Sequence, residues 1–286
     1  MVPPHAINTK SPDEVLKAVK AAFSDIGAET SHPLLDRLFE DVAGMFAGRY
    51  AGYQAIDMRY HDFEHTLQAT VCLIHILQGR SRSADRPVLA PRDWELAVMA
   101  VLLHDSGYLK KTDDLTGTGA KYTMVHERRS CDFARVYLPR MGVTASEIED
   151  ICAAIICTGP RSRISQISFH REEARQMAFI LVTADYLAQM SAADYLDKLP
   201  ALFLEFQESF DFEQVPAAKR PYQSEFELLE KTPGFWENYV RPMLDFEAGG
   251  VHRYLTTAGQ PNPYLQAVEA NLVEVRRRLQ AGSGAT

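Results

Sequence analysis

Apolar residues recur three and four positions apart along most of this chain, which is the spacing of one face of an α-helix. The pattern is clear in PLLDRLFEDVAGMFAG, HDFEHTLQATVCLIHILQG, PRDWELAVMAVLLHDSG and KYTMVHERRSCDFARVYLPRMG. No pair of segments alternates apolar and polar residues as a β-hairpin does, and no segment repeats. The pattern predicts an all-α fold.

Two helix starts carry the sequence of a capping box, in which a hydroxyl side chain and a glutamate three residues later cap the backbone. The first is SPDE at 11–14, where proline also occupies the first helical position. The second is TASE at 144–147, and Gly142 just before it is typical of the end of a preceding helix. We therefore expect helices to begin at both places.

Turn-forming and charged residues interrupt the helical pattern near 79–91, 109–121 and 158–168. From residue 199 onward the sequence begins as a helix, breaks, and then resumes helical spacing. A chain of this length can bury one large core. We predict a single all-helical domain over residues 1–286, with a C-terminal helical extension at about 199–281.

Composition and charge indicate which binding partners and which cellular location to expect. The chain is 46% hydrophobic and 24% charged, and it has no apolar run long enough to predict a membrane span. Its net charge of −8 disfavours nonspecific binding to a nucleic acid polymer or an anionic membrane. The N-terminus does not resemble a secretory signal and the four cysteines are sparse, so we predict a cytoplasmic protein. The sequence leaves the oligomeric state open.

Five residues in three apolar segments can supply metal chemistry. His61 and His65 are four positions apart, so on a helix they would share one face. The pair His104 and Asp105 ends an apolar run, and Asp185 lies inside another. A buried carboxylate without a partner costs several kcal/mol, so each aspartate needs a cation or a structural hydrogen bond. Imidazoles and carboxylates gathered in this way are ligands for a divalent ion and its water.

This arrangement of H…HD…D in helical surroundings resembles the HD-domain superfamily of metal-dependent phosphohydrolases. In addition, YHDFEH at 60–65 is similar to the YHNxxH opening of cyclic-nucleotide phosphodiesterases. The resemblance covers about residues 55–195. It implies an HD-domain helical bundle as the core, with additional helices on its N- and C-terminal sides.

The resemblance also implies roles for individual residues. Four would be metal ligands: His65, His104, Asp105 and Asp185. Asp105 could bridge two ions, and His61 would protonate the leaving oxygen. His126 falls where related proteins carry another histidine, used as a second-metal ligand or as a contact to one. One or two divalent ions are expected, drawn from Mn²⁺, Fe²⁺, Mg²⁺ and Zn²⁺.

The implied substrate is a small phosphorylated molecule, with a cyclic nucleotide or another nucleotide ester as the leading candidate. Lys110 and Arg128 are the candidate phosphate contacts because they lie close in sequence to the motif residues. The aromatic-rich segment LFLEFQESFDF could pack a helix or wall a pocket that stacks a purine. The segment SGYLKK after the His-Asp pair differs from the HDxxHxG of phosphodiesterases and from the HDxxED of guanosine-tetraphosphate hydrolases, so the substrate stays open.

Two other classes of function fit the same residues. Some HD-fold proteins are di-iron oxygenases, and His126 supplies an extra histidine for such a centre. A catalytically silent HD domain could instead bind a nucleotide as a sensor. Metal analysis distinguishes a di-iron oxygenase from a hydrolase. Turnover of phosphoesters distinguishes a hydrolase from a silent sensor.

Overall fold

The computed structural model describes residues 6–28, 32–256 and 259–283. Ten α-helices and no β-strand are present in those ranges, which confirms the predicted all-α fold. The helices are α1 (Pro12–Asp25), α2 (Pro33–Phe46), α3 (Phe63–Ser81), α4 (Pro91–Leu103), α5 (His126–Tyr137), α6 (Ala145–Thr158), α7 (Glu172–Ser191), α8 (Tyr195–Phe212), α9 (Glu225–Phe235) and α10 (Pro263–Ser283).

Shorter helical segments fill several connections. The 3₁₀-helices are Ser106–Tyr108, Gly119–Tyr122, Leu138–Met141, Ile164–Gln166, Ala217–Lys219 and Val251–Leu255. Two π-helical segments, Trp236–Val240 and Met243–Glu247, continue the axis of α9. An isolated antiparallel bridge joins Tyr53 to Lys111. The loops expected near 79–91, 109–121 and 158–168 are therefore partly helical at their edges.

Both predicted capping boxes lie at helix starts. The Ser11 hydroxyl accepts from the Glu14 backbone N–H at 3.3 Å at the start of α1. At the start of α6 the Thr144 hydroxyl accepts from Glu147 N, and the Glu147 carboxylate accepts from Thr144 N at 2.8 Å. Gly142 ends the preceding helix with φ 76°, a left-handed conformation that glycine adopts without strain. These local predictions are confirmed.

α7 lies at the centre of the fold, packed against α3, α4, α6 and α10. α3, α4 and α7 are apolar on almost all sides, as expected of helices buried in a core. A polar residue in the middle of one of these three helices is consequently removed from water. None of the described helices combines the length and apolar composition needed to cross a bilayer.

The helices after residue 199 share the core with those before it. One contiguous cluster of buried apolar side chains extends from Val15 in α1 to Val275 in α10. α8 runs without interruption across the expected limit between the core at 55–195 and the extension at 199–281. The extension is thereby placed beside the motif residues rather than apart from them.

A close backbone contact joins the turn after α4 to the start of α5. A Cβ placed on Gly107 would lie 1.9 Å from the His126 carbonyl oxygen, so only glycine fits. Ser130 on α5 reinforces the contact, because its hydroxyl donates to the His104 carbonyl and accepts from Gly107 N. Gly107 therefore lets the His-Asp turn approach the helix that carries His126.

We expect Gly107→Ala to lower the free energy of unfolding by about 1–3 kcal/mol, because the added methyl group forces the backbones apart. The matched control is Gly44→Ala in α2, where an added Cβ meets nothing within 4 Å. The control should be neutral or raise stability by about 0.5–1 kcal/mol through helix propensity. Urea denaturation of the two variants tests this, and equal stability of Gly107→Ala and the wild type would refute the contact.

Candidate metal centre

His65 is fixed by the way α3 begins. Asp62 caps the helix, and its Oδ1 accepts from the His65 backbone N–H at 2.8 Å. The other oxygen of Asp62 accepts from Lys198 Nζ at 3.0 Å, which ties the cap to α8. The His65 side chain is buried in the first turn of α3 and faces α4 and α7.

His104 and Asp185 are oriented by single hydrogen bonds. His104 follows the last residue of α4, and its Nδ1 donates to the Val101 carbonyl at 2.7 Å, which directs Nε2 away from the helix. Asp185 lies within α7, where its Oδ1 accepts from Gln189 Nε2 at 2.6 Å. The Gln189 carbonyl in turn accepts from the Tyr60 hydroxyl at 3.0 Å, so the amide is held in that orientation.

These elements bring three ligand atoms together. One atom each of His65, His104 and Asp185 lies within 4.8 Å of the other two, and all three side chains are buried. His65 Nε2 is 3.2 Å and His104 Nε2 is 3.7 Å from Asp185 Oδ1. The cluster could hold a metal ion.

Asp105 lies beside this cluster. Its Oδ2 is 3.4 Å from His65 Nε2 and 3.3 Å from His104 Nε2. All three of these atoms are buried and lack a hydrogen-bond partner, which is rare for polar atoms in a folded protein. A divalent ion fits the set, because neutral imidazoles and carboxylates are its usual ligands and it would satisfy the orphaned atoms together.

The same proximity shifts the acid-base equilibria of the metal-free protein. Burial alone would lower the pKa of His65, but the carboxylates of Asp105 and Asp185 outweigh it and raise the pKa to about 10. Burial would raise the pKa of Asp185, but the imidazoles of His104 and His65 hold it well below its usual range. Without an ion, the cluster therefore retains a proton at neutral pH.

His61 does not share a helical face with His65, as the spacing suggested, because α3 begins only at Phe63. It lies in the preceding segment, and its ring centroid is still 5.7 Å from that of His65. Its Nδ1 is 2.7 Å from Glu205 Oε2. Glu205 is 6% exposed, and its other oxygen accepts from the backbone N–H groups of Arg59 and Tyr60.

His126 is the first residue of α5 and lies on the far side of Asp105. Its Nδ1 donates to the Thr123 carbonyl at 2.8 Å, and its ring stacks on Tyr108 with centroids 4.6 Å apart. His126 Nε2 is 3.7 Å from Asp105 Oδ1, whereas His65 and His104 approach Oδ2. The two oxygens of Asp105 thus face different histidines.

The cluster opens into a cavity of about 600 Å³. One end is formed by His61, His65, Asp105, His126 and Asp185, and the remaining walls are mostly aromatic and aliphatic. This volume lies within the range of small-molecule sites. The motif residues are therefore accessible to a ligand much larger than an ion.

The two candidate phosphate contacts have different positions. Arg128 is exposed and lines the cavity. Lys110 is buried outside the cavity lining, and its ammonium donates to the carbonyl of Gly117. The structure brings only Arg128 of the two to the site, because the chain turns away after the His-Asp pair.

Sequence reasoning missed Glu205 and Gln189. Two glutamates closer in sequence to the motif histidines have other positions: Glu64 accepts from Thr9 and Gln68, and Glu127 Oε2 lies 3.7 Å from His126 Nδ1. The sequence did contain an indication of Glu205, because this charged residue interrupts the apolar run LFLEFQ. Asp185 interrupts the apolar run MAFILVTADYLAQM in the same way. Three further acidic residues follow within eight positions, so the sequence could not indicate which one faces inward.

The fold and the site define an all-α protein with a buried His-Asp cluster that could hold a metal ion. Over residues 142–278 the chain is similar to the protein family described as Npun_R2479-like. That match includes Asp185 and Glu205 and stops short of the three histidines that surround Asp105. No curated protein and no solved structure matches the chain.

Substitution of either buried aspartate should empty the site. We expect Asp105→Asn and Asp185→Asn to bind less than a tenth of the metal that the wild type holds, because each loses a charged ligand. Asp132→Asn is the control, since Asp132 is exposed on α5. Elemental analysis after dialysis against the ion provides the measurement, and full occupancy in Asp185→Asn would exclude it as a ligand.

Metal binding should release protons. Because the pKa of His65 is about 10 without the ion, the ion must displace a proton at every lower pH. The affinity should then fall by about tenfold per pH unit for each proton displaced as the pH is lowered from 9 to 7. Calorimetric titration in buffers of different ionisation enthalpy counts the protons, and a heat independent of the buffer would contradict this linkage.

Proposed function

We propose that this protein is a metal-dependent phosphohydrolase of the HD type that acts on a small phosphate ester. The observation that carries the proposal is the convergence of orphaned buried nitrogen and oxygen atoms beside a ligand-sized cavity. The resemblance of the H…HD…D pattern to HD phosphohydrolases supports it.

His65, His104 and Asp185 would hold the ion, with Asp105 as a further ligand from its neighbouring position. When bound, a divalent ion lowers the pKa of water toward about 7 and neutralises charge on phosphate oxygens. The protein's own contribution is to hold these residues in place: the His65 backbone N–H donates to Asp62, the His104 ring donates to the Val101 carbonyl, and Asp185 accepts from Gln189.

His61 is placed to supply the proton for the leaving group. Its Nδ1 is held by Glu205, which leaves Nε2 available at the cavity wall. Hydrolysis forms a bond from a water oxygen to phosphorus and breaks the ester P–O bond. The departing alkoxide then takes the Nε2 proton of His61, while Glu205 keeps the ring oriented.

The position of Asp105 also suits a centre with two ions, because its two oxygens face different histidines. A di-iron oxygenase would use such a centre as well. Two tightly bound irons together with a product that depends on oxygen would favour that second candidate over hydrolysis. Metal-dependent turnover of phosphoesters would instead exclude both the oxygenase and a silent sensor.

The cellular location proposed with this function is the cytoplasm. All four cysteines are buried, unpaired thiols, as expected in a reducing compartment. Nucleotide esters remain among the substrates to be tested, beside simpler phosphate monoesters and diesters.

We expect His61→Ala to keep its metal and to lose about 10²- to 10⁴-fold in kcat on an alkyl phosphate. The loss should be much smaller on p-nitrophenyl phosphate, whose leaving group needs no proton. His170→Ala, at an exposed position, is the control. Steady-state kinetics with metal analysis test this, and an equal loss on both substrates would rule out the acid role.

Glu205→Gln should retain the metal and lower kcat by about 10- to 100-fold, since the neutral amide replaces a charge-assisted hydrogen bond to His61 Nδ1 with a weaker one and orients the ring less firmly. The double variant that combines Glu205→Gln with His61→Ala should have the same kcat as His61→Ala alone. Additive losses in this cycle would show that Glu205 does not act through His61.

A further inference from the structure

We propose that the phosphate ester taken by this site carries an aromatic or aliphatic group of about two rings with few polar atoms, seated between α8 and α9. This inference rests on the proposed function and names its substrate class. It follows from the walls of the cavity beyond the metal cluster.

One face of α8 forms the first wall. Its cavity-lining residues are spaced four, three, four and four apart, which places them in a single stripe along the helix. They are Tyr195, Leu199, Leu202, Phe206 and Phe210. Every member of this stripe is aromatic or aliphatic. The aromatic-rich segment noted in the sequence therefore walls the pocket.

α9 and the segment before it extend this apolar lining, through Tyr222, Leu228 and Phe235. The ring of Phe206 lies near parallel to that of Tyr222, with centroids 5.7 Å apart, and to that of Phe210 at 6.1 Å. Phe206 is only half-buried, so part of its surface faces the cavity. Flat apolar surfaces of this kind favour a planar apolar group.

Three polar side chains that line the cavity near these walls already have partners within the protein. The Thr232 hydroxyl donates to the Leu228 carbonyl, and the Thr158 hydroxyl donates to the Ile155 carbonyl. Gln189 uses its amide on Asp185 and its carbonyl on Tyr60. A sugar or a base edge placed here would lose hydrogen bonds to water without replacement, which disfavours a nucleoside.

The size of the cavity also favours a substrate with a large organic group. A cavity of about 600 Å³ is several times the roughly 150 Å³ that holds a benzene ring, so inorganic phosphate alone leaves most of it unfilled. Glu205 and Phe206 are neighbours on α8, so the residue that orients His61 adjoins the apolar wall. The phosphate end and the apolar end thus lie in one continuous cavity.

The test begins with neutral probes and protein stripped of metal by a chelator, so that binding is measured apart from turnover. Calorimetry should show 1-naphthol binding at least tenfold tighter than adenosine. Phe206→Ala should weaken naphthol binding by about ten- to hundredfold, whereas Phe206→Leu should weaken it less. Phe246→Ala is the matched control, because Phe246 is 80% exposed and lies outside the cavity lining.

The second step uses the metal-loaded protein with 1-naphthyl phosphate and adenosine 5′-monophosphate. We expect the naphthyl ester to have the lower KM, and Phe206→Ala to raise that KM with little effect on metal content. Tighter binding of adenosine than of naphthol would overturn the apolar substrate class and leave hydrolysis intact. Phe206-dependent naphthol binding without turnover of any phosphoester would overturn the hydrolase and retain the apolar ligand.

Discussion

The burial of two carboxylates among three apolar helices is the constraint on which the site depends. Asp105 and Asp185 are 3% and 6% exposed, so both are largely removed from bulk water. Isolated charges in such surroundings cost several kcal/mol each, and the fold must place positive charge beside them. In the metal-free protein the imidazole protons of His65 and His104 supply that charge, which is why the pKa of each histidine is raised. A divalent ion would replace those protons.

Three of the four histidines at this cluster, His61, His104 and His126, are oriented through Nδ1. His104 and His126 donate to the carbonyl three residues before them, Val101 and Thr123. His61 uses the carboxylate of Glu205 instead. Local backbone geometry is thus enough to orient the rings of His104 and His126. The ring of His61 is oriented by a residue far away in the sequence. This difference matches their proposed roles. A metal ligand such as His104 needs a rigid ring, whereas a proton donor such as His61 needs a neighbouring group that orients its ring.

The parts of the structure that could be predicted from sequence are those set by local rules. Helical spacing gave the all-α class, and hydroxyl caps marked the starts of α1 and α6. The His-Asp pair and Asp185 were recognisable because a charge inside an apolar run demands a partner. The position of His61 was misjudged because Asp62 could be either a helical residue or a cap. Glu205 was missed because its contact with His61 spans 144 residues.

α8 links the chemistry of the site to its selection of ligand. It contributes Glu205 toward His61, Lys198 toward the cap of α3, and its apolar stripe toward the cavity. The stretch that is similar to the Npun_R2479-like family, 142–278, contains all of α8 together with Asp185. The histidines come from residues before that stretch. The proposed site therefore draws on both parts of the chain, and substitutions along α8 would change the cavity wall while the candidate ligands of the ion stay in place.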